Sequence, residues 1–321
     1  MISRRQLIAS GIAASLAEFT AEPANAQQRQ LHIVVPFSPG TTPDTIARAL
    51  GPSLQKNLNS AVVVDNRVGA SGLIGIRWVM QSNDPGTIQI ISSTALMIPM
   101  FYKEAGFDMM KTFRPITHLV SSAFALVVNK EVPATNLKEF IAWAKTDPRA
   151  FYGSPGTGTH HHLFMVMLLQ KLGLNIQHIP YKGFSQAFSD LMGGQIQAMF
   201  VPIQIAVPQR NAGLIKIIGS SLLERHPNFP SIPSLNEQGA TGYNADPWYG
   251  AWGSPKVTSE LAQTYRAAFI TAMNDPEVKN SLVEAQGLIL RSSTPEELQA
   301  MAEKESAMWT KVIREANIKP E

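Results

Sequence analysis

The first strong pattern in the chain is a short apolar run, LHIVVPF from Leu31 to Phe37, which ends in a Pro/Gly/Thr stretch. Beyond it apolar residues return every fourth position, at Ile46, Leu50, Leu54 and Leu58. An unbroken apolar run reads as a buried strand, and a four-residue recurrence as one face of a helix. Thr42 followed by Pro43 supplies an N-cap and a proline at the first helical position, where its missing N–H does no harm. Pro52 predicts that this helix bends or ends early, because an interior proline removes a backbone donor. AVVVDN and TIQIISST read as further strands, separated by the glycine-rich NRVGASGLIG and a helical stretch to Gln81.

From Ala123 the pattern restarts. The strands FALVVN, AFYGS, NIQHIPY, QIQAMF and LIKIIGS alternate with helices at 137–145, 160–172 and 184–192. Strands alternating with helices predict a mainly parallel α/β sheet, so the chain reads as two α/β lobes. One takes residues 27–125 and 248–321, the other 126–247. YNADPWYGAWGSP then leads into two helical segments, 259–274 and 295–316, that have no sheet of their own and are expected to pack on the first lobe. Two chain crossings between the lobes would form a hinge and a cleft.

Composition narrows the picture. With 321 residues, 45% of them hydrophobic, the chain can bury a large core. The 22 glycines and 22 prolines are dispersed, as in a globular chain. A net charge of +3 with scattered Lys and Arg argues against a nucleic-acid partner. Residues 1–26 read as an export signal: Arg4 and Arg5, an apolar stretch from Leu7 to Ala17, then Ala24-Asn25-Ala26 as a cleavage site. Ser3 to Leu7 also resembles a twin-arginine signal, and both export routes fit. The apolar stretch is shorter than the roughly 20 residues a bilayer requires. The chain has no cysteine, which removes disulfides and a lipid-anchored N-terminus. A free periplasmic protein fits these features.

Candidate chemistry gathers in two loops. YGSPGTGTHHHLF, residues 152–164, places a Gly/Thr loop between a strand and a helix, with donors at Ser154, Thr157, Gly158 and Thr159. PFSPGTTPDTIAR repeats that design in the first lobe, and two facing helix N-termini would clamp an anion. An ordinary capped helix is the competing explanation for either loop alone. His160, His161 and His162 are adjacent, whereas a helical chelate needs spacings of three or four. No metal site is expected. His160 is a candidate ligand donor, while His161, His162 and His178 read as core or solvent positions. The Walker pattern is missing, since no lysine follows the glycines. Ser154 with a histidine and Asp190 leaves open an exported hydrolase, although no GxSxG elbow supports it.

Six stretches in order, IVVPFSPGTTPDTIAR, VVVDNRVGASGLIG, YGSPGTGTHHHL, IPYKGFSQAFSDLMGGQIQAMF, WYGAWGSP and MWTKVIREANIKP, resemble the Bug-type solute-binding proteins of tripartite tricarboxylate transporters. The resemblance implies a type II periplasmic binding-protein fold with a two-strand hinge, closing on a small organic acid without a cofactor. It implies a monomer that delivers the acid to membrane permease subunits, or a sensor that presents it to a membrane receptor. Carried over by position, Phe37 would lie against the carbon skeleton of the ligand. Ser38, Gly40, Thr41 and Thr42 would donate from one side, and Ser154, Thr157, Gly158 and Thr159 from the other. Lys182, Thr94 and Val201 would contribute from neighbouring loops. Thr41 and Gln197 depart from the family pattern. Asp44 matches it, but its charge opposes a carboxylate, so it either caps its helix or meets a ligand amine or hydroxyl.

Overall fold

The apolar run at the start of the pattern is buried on both faces. In the computed structural model, which describes residues 30–102, 104–316 and 318, it forms β1 (Leu31–Val35). Leu31, Ile33 and Val35 pack on Ile46, Leu50 and Leu54 of α1 (Thr42–Leu58), while Val34 packs on Ile76 and Val79 from the opposite side. The expected export signal and cleavage site fall outside the described residues.

The first lobe continues with β2 (Val62–Asn66), α2 (Leu73–Gln81), β3 (Thr87–Ser92) and β4 (Arg114–Ser121). The second is built from β5 (Phe124–Asn129), α3 (Leu137–Ala144), β6 (Phe151–Ser154), α4 (His160–Leu172), β7 (Gln177–Pro180), α5 (Phe184–Gly193), β8 (Ala198–Pro202), α6 (Ile203–Asn211) and β9 (Ile215–Ser220). The chain then returns to the first lobe as β10 (Trp248–Gly253), α7 (Ser259–Met273), β11 (Ile289–Leu290) and α8 (Pro295–Glu315). The strand orders are β11-β4-β10-β3-β1-β2 and β7-β6-β8-β5-β9.

Four expectations need correction. The sheets are mixed: β10 runs antiparallel to both β3 and β4, and β5 antiparallel to both β8 and β9. Each strand that enters a lobe at a crossing is thus inserted against the local parallel direction. The N-cap of α1 is Thr41 and not Thr42, which moves Pro43 to the second helical position, still within the turn that lacks intrahelical acceptors. The helix also continues past Pro52, which is exposed, as far as Leu58, so it does not end early. Finally, Phe124 and Ala125 already pair with Pro202 and Val201 in the second sheet, two residues before the boundary read from sequence.

The lobes join at Ser121–Phe124 and again before Trp248, where Ser122 N–H donates to the Pro247 carbonyl at 2.9 Å. Helix α8 adds a third connection. Its first half buries Leu298 and Ala302 with Trp248 and Trp252, as expected, but Trp309, Val312 and Ile313 pack with Phe164 and Leu168 of the second lobe. No helix among the described residues is long and apolar enough to cross a membrane.

Candidate functional site

The two loops singled out in the sequence adopt one local structure. Gly40 has φ +80°, and its N–H donates to Asp44 Oδ2 at 2.8 Å; Gly158 also has φ +80°, and its N–H donates to His162 Nδ1 at 3.1 Å. The following residue is threonine in both. Thr41 Oγ1 donates to the Ser38 carbonyl at 2.6 Å, and Thr159 Oγ1 to the Gly156 carbonyl at 2.8 Å. Each threonine is the N-cap of its helix in extended geometry, with φ/ψ of −76°/160° and −73°/159°, and neither side chain turns onto the helix. The first-turn N–H groups are left facing away from the helix. They belong to Thr42 and Asp44 in α1, where Pro43 has none, and to His160, His161 and His162 in α4. Such a terminus attracts anions.

The start of α4 meets the first lobe. Ser93 sits at the carboxyl end of β3, beside β1, and its Oγ lies 2.8 Å from His160 Nε2. A wall of contacts continues from one loop to the other. The Phe37 ring lies against Gly72, Ser71 Oγ meets Tyr102 Oη at 3.0 Å, and the Phe101 ring covers Gly158, where a Cβ would come within 2.7 Å of it.

Charge in this region is held within each lobe. Burial by itself raises the Asp44 carboxyl, but hydrogen bonds from Arg48, Gly40 and Asn66 outweigh it and hold the pKa below the ordinary value. Asp44 is 2% exposed, and these bonds lock its own loop. The three histidines are neutral struts. Burial, with a smaller contribution from a neighbouring histidine, lowers His160 and His162 to about 3, and burial lowers His161 to about 4. His161 Nδ1–H donates to the Phe200 carbonyl at 2.7 Å, and His162 Nδ1 accepts from Gly158, so their tautomers are opposite. His162 stacks on His178, and His178 on Tyr152, with centroids 4.1 and 4.8 Å apart. Among the described residues no three His, Cys, Asp or Glu side chains are placed to share a metal ion.

The other predicted residues separate into those with exposed or partly exposed side chains and those sealed within a lobe. Ser38 is exposed, and Phe37, Thr41, Thr42 and Thr157 are half-buried. Gly40 N–H and the hydroxyls of Thr41 and Thr159 are already engaged within their loops. Ser154, expected as a donor, is fully buried; its Oγ contacts the Gly156 carbonyl at 2.9 Å and His178 Nε2 at 2.7 Å. Neither His160 nor Asp190 pairs with it, since His160 turns to Ser93 and the Asp190 carboxylate to Tyr181. Val201 is also fully buried, within the core of the second lobe. Thr94 Oγ1 lies 2.5 Å from Ser92 Oγ, and Lys182 is exposed beyond the end of β7. Ser93 and Phe101 were missed, because only the fold brings these first-lobe residues against the second-lobe loop.

Residues 46–318 match the family described as tripartite tricarboxylate transporter family receptor. A Cupriavidus necator protein named for the gbd 5′ region is 31% identical over 88% of this chain and 89% of its own length. Protein BugT of Bordetella pertussis is 26% identical over 91% and 90%. Among solved structures, periplasmic binding protein BugD superposes with a TM-score of 0.80 at 28% identity, covering 91% of this chain and 99% of that one. Rhodopseudomonas palustris Rpa4515 with adipate gives 0.83 at 27%, with the same coverage. The architecture is that of the type II periplasmic binding proteins.

Proposed function

Because the chain belongs to the tripartite tricarboxylate transporter receptor family, we propose that it binds a small organic carboxylate in the periplasm, between the first turns of α1 and α4, and delivers it to the membrane subunits of such a transporter. The observation that carries this reading is the matched pair of locked helix starts. In each, glycine N–H and threonine hydroxyl are tied back into the loop, which leaves the first-turn N–H groups for a ligand. Neutral donors suit a carboxylate: closure of the lobes removes water from it, and each charge-assisted hydrogen bond gains strength. The binding of adipate by Rpa4515, at 27% identity, supports an acid of this size.

A thermal-shift screen with adipate, malate, citrate and benzoate, with mass spectrometry of any copurifying acid, tests the proposal. At least one acid should raise the melting temperature and bind one-to-one in calorimetry. A protein that neither responds to the panel nor carries an acid refutes it. Delivery is tested by uptake of that acid in cells lacking this chain, which should fall to background.

Thr157 and Thr159 separate contact from support. Thr157→Ala should weaken the responding acid about tenfold with an unchanged melting temperature, as expected when a hydrogen bond to a charge is lost. Thr159→Ala should instead lower both, because its hydroxyl holds the loop. Equal affinity of Thr157→Ala and wild type in calorimetry would remove that hydroxyl from the site.

A further inference from the structure

The hydrogen bond between Ser93 and His160 joins the two lobes beside a buried carboxylate. Glu305 of α8 accepts from Trp309 Nε1 at 2.8 Å and from Trp248 Nε1, and it lies next to the Ser93 hydroxyl. Ser93 Oγ in turn lies 2.8 Å from His160 Nε2, so carboxylate, hydroxyl and imidazole follow one another as a relay.

This relay touches every connection between the lobes. Trp248 begins β10 just after the second crossing, and Phe124, which begins β5 just after the first, meets the His160 ring edge-on at 6.0 Å. Trp309 lies in the half of α8 that packs on the second lobe, with its ring stacked on Phe164 at 5.9 Å. At the other end of the relay, His160 is the first residue of α4. A group buried at the convergence of three crossings moves little when the lobes rotate, so whatever is bonded to it is held to the hinge.

We propose that Ser93 and Glu305 are positioning residues for the second-lobe half of the site. Through His160 they hold the first turn of α4 against the hinge, so that ligand contact at this turn is transmitted directly to lobe rotation. The word "site" rests on the carboxylate reading above. The relay itself is testable without any ligand.

Amide hydrogen exchange on the ligand-free protein provides the test. The informative amides are Gly158, held by His162 Nδ1, and Leu163, held by the Thr159 carbonyl at 2.9 Å. Ser93→Ala, His160→Leu and Glu305→Gln should each speed exchange at these two amides about tenfold, with β6 and β8 unchanged, as for the local loss of one buried hydrogen bond. His160→Gln, whose amide N–H reaches the position of Nε2, should restore the wild-type rate. Ser93→Ala combined with Glu305→Gln should exchange no faster than Ser93→Ala alone, because residues in a single relay are not additive. Unchanged exchange at Gly158 and Leu163, equal acceleration throughout the protein, or additive effects in the double variant would overturn the proposal. Failure of every acid to bind the wild-type protein would remove the carboxylate reading and leave the exchange result standing.

Discussion

Gly158→Ala should destabilise the protein by about 2–5 kcal/mol, whereas Gly40→Ala should cost only about 1–2 kcal/mol. Both glycines have φ +80°, so each alanine meets the same backbone strain of about 1–2 kcal/mol. Their surroundings differ. Around Gly40 nothing lies within 4 Å of the added Cβ, while at Gly158 it falls 2.7 Å from two carbons of the Phe101 ring. Phe101 is 3% exposed and belongs to the second-lobe core although it comes from the first lobe, so the ring has little room to retreat. Overpacking of this kind adds about 1–3 kcal/mol. Urea denaturation of the two variants checks the difference, and equal losses would show that the Phe101 contact contributes nothing to stability. Phe101→Ala in the Gly158→Ala background should relieve the clash and leave the backbone strain, at the cost of a cavity in the core.

That contrast shows where the sequence was legible and where it was not. The Gly/Thr loops stood out because strand, small residues and helix follow one another locally, and local geometry is what the two locks share. The strands β1, β3 and β5 were visible because both of their faces are buried, which leaves unbroken apolar runs. β10 was not read as a strand: its WYGAWG run carries two glycines, and it gains its place only from β3 and β4 on either side. β4 contains Pro115 and His118, which obscure its pattern. The histidine triplet was the most conspicuous signal, yet its meaning depended on three partners distant in sequence or hidden in a turn: Ser93, the Phe200 carbonyl and Gly158. Ser154 illustrates the opposite error. Its residue type suited donation to a ligand, but only the fold shows that the hydroxyl is sealed beneath the loop. The bridging role of α8 was equally hidden, since an amphipathic pattern does not say which lobe each half of a helix will meet.

Acidification should destabilise the protein well before ordinary acid denaturation of carboxylates. Six histidines are held neutral by burial: His118, His161 and His178 are lowered to about 4, His160 and His162 to about 3, and His226 is lowered as well. In the unfolded chain each titrates near its ordinary value of about 6.5. Below that pH the unfolded state takes up protons that the folded state refuses, so stability is complete above about pH 6.5 and falls as the pH drops toward 4. Each such proton is worth about 1.4 kcal/mol per pH unit. Two carboxyls work against this trend. Burial pushes Asp246 up to about 6 and raises Glu305 as well, so the folded state holds protons there that the unfolded state releases. Six groups against two leave the histidines in control, and stability should fall by more than about 1.4 kcal/mol between pH 6 and pH 5. Urea midpoints measured across that interval test the sign: a midpoint that stays level or rises on acidification would mean that the histidines are already charged in the fold. His162→Asn supplies the residue-level check. Its side-chain oxygen can still accept the Gly158 N–H, but the group no longer titrates, so the variant should keep the lock and lose about one proton's share of the slope.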